Sequence, residues 1–157
     1  MSNEFNREHS SLGQLTQQEI HHLITVSTGV IDVFVIPRSV EDSILLPQNI
    51  VISVFETPMS GSNIQWQKQN LAVWNLQQDS SEQALALVIE GETEAQRFII
   101  LCDAMPQSMR MRISEVIDDE KNPDAVWIFK YVKRAEQRYI VPNLQAVEQM
   151  LGIAEAS

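Results

Sequence analysis

The sequence predicts a mainly β protein, built as small antiparallel barrels or a sandwich. Three observations carry this. Apolar runs of strand length recur, with turn signals about every 8–14 residues between them. Ala84–Ile89 and Phe98–Cys102 are two such runs around the polar stretch Glu90–Gln96, which contains Gly91; they read as a β-hairpin with both faces covered. Met109, Met111 and Ile113 then alternate with Arg110, Arg112 and Ser114, the period of a half-buried strand with a basic face in water. The unit 84–116 is a buried hairpin feeding an amphipathic strand, and the rest of the chain must cover it.

Taken in order, residues 1–14 are polar and lack periodicity, so they read as a loose tail. Thr16-Gln17-Gln18-Glu19 matches a capping box, with Ile20, Leu23 and Ile24 on one face behind it; one short helix is the expectation, an extended segment the alternative. Val30–Ile36 is β-branched and aromatic, a strand closed by Pro37. Ile44–Phe55 is a second strand region, interrupted at Pro47, which belongs at an edge or a bulge because proline has no N–H to give a ladder. Thr57–Asn63 is a turn-rich loop, and Leu71–Leu76 a third strand with Trp66 just before it. Asp118–Asp124 is a charged turn, and Val126–Val132 and Tyr139–Val141 are the last strands. Pro142-Asn143 opens a helix carrying Leu144, Val147 and Leu151 on one stripe, with Gly152 where a C′ glycine belongs. The count is about eight strands and one or two short helices.

The 157 residues suffice for one domain that needs no disulfide or metal to fold. Residues 1–28 are expected as a tail or short helix and residues 29–153 as the domain. Eleven basic against 21 acidic residues give a net charge of −10, which argues against nucleic acid or an anionic membrane as the main partner. One cysteine excludes an internal disulfide framework and fits a reducing cytosol. No secretion signal is visible at the N-terminus, and no apolar run approaches the ~18 residues of a membrane span.

No catalytic set emerges. His21 and His22 are adjacent and point apart on a helix, His9 is in the tail, and no cysteine or carboxylate completes a zinc pattern. Cys102 and Asp103, at the end of an apolar strand, are the candidates for a small enzyme or ligand-binding barrel; a buried inert thiol and a turn cap are the simpler account. Asp118, Asp119 and Glu120 lack the alternating oxygen ligands of a calcium loop and read as a solvated turn. The five glycines are scattered, so no phosphate cradle forms. No cofactor and no metal are expected. The densest basic positions are Arg110, Arg112, Lys130, Lys133, Arg134 and Arg138. On neighbouring strands they would form one basic face, either protecting an edge against aggregation or docking an acidic partner.

The order of these stretches resembles the CheW-like domain family, the cytoplasmic adaptors of bacterial chemosensory arrays. Ile44–Val54, with its apolar-Pro dipeptide before a Val-rich strand, is similar to the family's early strand element. Asn70–Leu76 is similar to its segment ending in apolar-Asp-Leu, the hairpin unit 84–116 to its central hairpin, and Tyr139–Leu151 to its closing strand and helix. The resemblance spans roughly residues 30–152 and is greatest to the divergent ChpC-type members, accessory adaptors of systems linked to type IV pili and twitching. It implies two small SH3-like β-barrels on a shared apolar core with a short C-terminal helix. It also implies a non-catalytic role, coupling chemoreceptor cytoplasmic tips to a CheA-type histidine kinase. Val51, Ser53 and Gln67 are then expected in the partner groove. Two departures stand out: the family's Asn-Leu-Arg-Gly is replaced by Gln65-Trp66-Gln67-Lys68, and a common Glu by Ser53. They imply a specialised or accessory adaptor.

Overall fold

Runs of β-branched and aromatic residues become strands where both faces find cover. In the computed structural model, which describes residues 29–38, 41–58, 62–77 and 83–153, they form eleven strands and one α-helix. The strands are β1 (Val30–Ile36), β2 (Ser43–Pro47), β3 (Val51–Pro58), β4 (Asn63–Trp66), β5 (Gln69–Asn75), β6 (Gln83–Ile89), β7 (Phe98–Cys102), β8 (Gln107–Arg112), β9 (Val116–Asp118), β10 (Ile128–Arg134) and β11 (Gln137–Pro142). The helix is α1 (Leu144–Met150). The expected short helix near Thr16, and His9, His21 and His22, lie outside the described residues.

Two sheets result. One has the order β8-β1-β2-β11-β10-β9, the other β3-β6-β7-β5-β4. In each, the two edge strands follow one another in the chain. Only the 3-10 turn Ile113–Glu115 separates β8 from β9, and only residues 59–62 separate β3 from β4. A short link between opposite edges curls a twisted sheet on itself. The fold is the expected pair of small SH3-like barrels with a short C-terminal helix. Barrel one is the six-stranded sheet and barrel two the five-stranded one.

Three apolar cores explain the continuous apolar runs. Barrel one is filled by Ile31, Val33, Val35, Leu45, Met111, Val132 and Tyr139. Barrel two is filled by Ile64, Leu71, Val73, Ala84, Ala86, Val88, Ile99 and Leu101. Between them lies a shared core that takes Ile36, Ile44 and Leu46 from barrel one, Leu87, Ile89, Phe98 and Ile100 from barrel two, and Leu144 and Val147 from α1. Strand β7 shows the logic: Phe98, Ile100 and Cys102 face the shared core, while Ile99 and Leu101 face into barrel two. The expected β6–β7 hairpin is present, antiparallel from Leu85↔Cys102 to Ile89↔Phe98.

Two expectations need correction. The sheets are mixed, because β5 runs parallel to β7 and β11 parallel to β2. Ile44–Phe55 is also not one interrupted strand. The 3-10 turn Gln48–Ile50 carries the chain from barrel one to barrel two, so β2 and β3 belong to different sheets. Pro47 does stand at a local edge: it pairs with Val33 of β1, while β11 flanks β2 only at Ser43 and Ile44. Helix α1 ends as expected. Asn143 caps it, its side chain accepting from the Ala146 N–H at 3.1 Å, and Gly152 closes it with a φ of +76°.

Candidate functional site

The residues expected at partner contacts divide between the edges of the two barrels. Val51 and Ser53 lie on β3, an edge strand of barrel two. Both are half-buried, and the residues alternating with them, Ile52 and Val54, face outward at 38 % and 37 % exposure, followed by exposed Glu56. Gln67 sits on the two-residue turn between β4 and β5, at the other edge of the same barrel. Gln67 and Lys68 both have positive φ, 47° and 69°, so the turn is the primed type that follows the twist of a tight hairpin. A glycine would hold this conformation at no steric cost; lysine does so under strain.

Arg110 and Arg112 are exposed on β8, an edge strand of barrel one, where the alternation with Met109 and Met111 is as expected. Arg110 Nε donates to Asp32 Oδ1 at 3.0 Å on neighbouring β1, and Arg112 Nε lies 4.0 Å from Glu115 Oε2. Barrel closure brings Arg134 of β10 to the same Glu115, at 3.4 Å. Lys130 pairs with Asp118 at 2.9 Å, and Arg138 with Asp42 at 3.0 Å and Asp119 at 3.8 Å. Five of the six residues of the expected basic face, all but Lys133, thus stand in a lattice with acids. The sequence could not show this, because the acids come from as far as 96 residues away. The turn Asp118–Glu120 spends its first two carboxylates on those cations, and among the described residues no three His, Cys, Asp or Glu side chains converge as a metal site.

For the alternative of a small enzyme or ligand-binding barrel using Cys102 and Asp103, the structure bears on the thiol, which is the inert buried kind. Cys102 is 1 % exposed within the shared core, and its thiol donates to the Leu85 carbonyl at 3.7 Å. Burial, with a smaller contribution from the Asp103 charge, pushes the thiol up to about 12, so the thiolate that nucleophilic chemistry needs is not formed near neutrality. A hollow beside β1 is lined by Val30, Ile31, Asp32, Pro47, Gln48 and Asn49. Among the described residues its one ionisable lining group is Asp32, held by Arg110, and no acid–base pair of described residues faces into it. What the geometry offers is edge strands, exposed apolar residues on β3 and a charged lattice on barrel one.

The double barrel with its shared core and short closing helix is a CheW-like fold. Among solved structures it is similar to the scaffolding protein TtCheW from Thermoanaerobacter tengcongensis, with a TM-score of 0.57 and 12 % identity, covering 71 % of this chain and 88 % of that one. No family model and no curated protein matches the sequence. Among the described residues, no helix is long and apolar enough to cross a membrane.

Proposed function

We propose that this protein is a non-catalytic cytoplasmic adaptor of a chemotaxis-type signalling assembly, its residues 29–153 forming the CheW-like domain. It couples the cytoplasmic tip of a chemoreceptor to a CheA-type histidine kinase, in a system of the type IV pilus or twitching kind. The observation that supports this reading best is the division of exposed edges between two barrels locked onto one core. Edge strand β3 presents Ile52 and Val54, and Val51, Ser53 and Gln67 lie along the same barrel. Edge strand β8 presents Arg110 and Arg112 on the other. Two separate edges on a rigid body can hold two proteins at a fixed spacing, the first through strand addition and apolar contact, the second through charge. Exposed ion pairs are worth only ~0.2–1 kcal/mol each, so a partner's carboxylates can take Arg110 from Asp32 at little loss.

The test is co-sedimentation of the purified chain, at tens of micromolar, with a receptor cytoplasmic fragment and with a CheA-type kinase. Binding to either is expected. Ile52→Asp with Val54→Asp should remove one interaction, and Arg110→Glu with Arg112→Glu should weaken the other. A chain that binds neither protein ends the adaptor reading, and unchanged binding by the charge-reversed variant removes the arginines from it.

A further inference from the structure

One buried titratable group takes no part in these surfaces. Glu148 lies on α1 and is 1 % exposed. Its Oε1 accepts from Gln96 Nε2 at 3.3 Å, and its Oε2 has no hydrogen-bond partner among the described residues. Gln96 is 3 % exposed and belongs to the 3-10 turn of the β6–β7 connection. Its orientation is fixed from behind, because its Oε1 accepts from the N–H and hydroxyl of Thr93, both at 3.2 Å, which leaves Nε2 to face the helix. The connection is fitted closely around it: a Cβ on Gly91 would stand 2.6 Å from Gln96 Cβ. Helix α1 follows the last strand of barrel one, and Gln96 belongs to barrel two, so this polar contact joins the barrels through the helix.

We propose that Glu148 and Gln96 form a proton-operated latch, in which the neutral carboxyl holds α1 against barrel two and the carboxylate lets it lift. A carboxylate sealed from water with one donor and a bare second oxygen is costly, whereas a neutral carboxyl in the same place is tolerated. The charges that face it add no support. The β6–β7 connection carries Glu90, Glu92, Glu94 and Arg97; Arg97 is engaged with Glu90 at 2.7 Å and lies 4.0 Å from Glu94. Helix α1 has no basic residue in its last turn. The other titratable groups of the shared core are occupied elsewhere, Cys102 with Leu85 and Tyr131 with Asp124. Burial, opposed by the Gln96 hydrogen bond and reinforced by Glu92, raises Glu148 to about 7, so the closed-state carboxyl is about half ionised at neutral pH.

Hydrogen exchange of the full chain tests this, read by mass spectrometry at several values between about pH 5 and about pH 8 and corrected for intrinsic rates. One linked proton changes the opening equilibrium by up to about tenfold per pH unit. Protection of α1 should fall by that slope as pH rises toward 7, while β7 changes less. Glu148→Gln keeps the shape and cannot ionise, so its α1 protection should stay high and flat. A flat wild-type profile, or a variant that retains the fall, overturns the latch. Should the variant fail to fold, the side-chain carbon resonance of Glu148 in the wild-type protein decides. A midpoint near neutrality tracked by the α1 amides supports the latch; an ordinary carboxylate midpoint, or α1 amides that do not move, refutes it.

Discussion

Truncating Phe98 to alanine tests whether the two barrels are one unit. Phe98 is fully buried on β7, between Ile89 of β6 and Ala72 of β5 in register, and belongs to the core shared with barrel one and α1. A Phe→Ala change in such a site costs roughly 3–5 kcal/mol, since the cavity collapses only in part. A domain of this size has ~5–15 kcal/mol in all, so about a fifth or more is at stake. With an m-value of about 2 kcal/mol per molar urea, the midpoint should fall by about 2 M. The assay is urea unfolding followed by tryptophan fluorescence and far-UV circular dichroism. Trp74 and Trp127, edge-to-face at 5.2 Å, report on the shared core, and Trp66 packs against the core of barrel two. Both probes should give one coincident transition, displaced as a whole. Met111→Ala, which opens a hole inside barrel one, should displace the same transition. Two separable transitions, or a Phe98→Ala shift confined to one probe, would refute a single cooperative unit.

Other expectations follow from single sites. Cys102 should resist thiol reagents until the chain unfolds, and Cys102→Ala should leave partner binding intact; rapid labelling of the folded protein would contradict the sealed core. Lys68→Gly should raise stability by about 1 kcal/mol in urea titration by relieving a left-handed residue, and a loss would mean that the turn does not hold two such residues. Stability should fall with rising pH between about 4.5 and about 7 through Glu148, by on the order of 3 kcal/mol. Its folded value lies above its unfolded one, so its contribution is whole below that window and absent above it. Glu90 works in the opposite sense: Arg97 holds it below the usual carboxylate range, so its contribution is present at neutral pH and is lost as pH falls through its folded value, on the acid side of about 4.5.

Much of the fold was legible because local pattern and tertiary cover agree. The β6–β7 hairpin, the alternation of β8 and the capped helix α1 each declare themselves through a period or a capping residue. The missed elements have little sequence of their own to read. Strand β4 is four residues with only Ile64 buried, and β9 is three residues with none buried. Pro47 marks an interruption of Ile44–Phe55, but no local signal says that the apolar stretches on either side, resumed at buried Ile50, belong to different barrels. The parallel pairings β5–β7 and β2–β11 are set by how each sheet closes, which no local period encodes.

The candidate surface was legible in a different way. Apolar continuity locates a strand covered on both faces, but it cannot say which face of an edge strand stays bare. Val51–Phe55 reads as uniformly strand-forming, yet Ile52 and Val54 point out while Val51 and Phe55 pack inward. What separates them is the one-sided position of β3, with β6 on one side and no hydrogen-bonded strand on the other among the described residues. The same holds for charge. Arg110 is evident as a basic residue on an amphipathic strand, but Asp32 reaches it only because β1 and β8 pair across 78 residues. The surface chemistry of these barrels is therefore set by strand order, and sequence alone reveals it only where both partners of a contact lie within one hairpin.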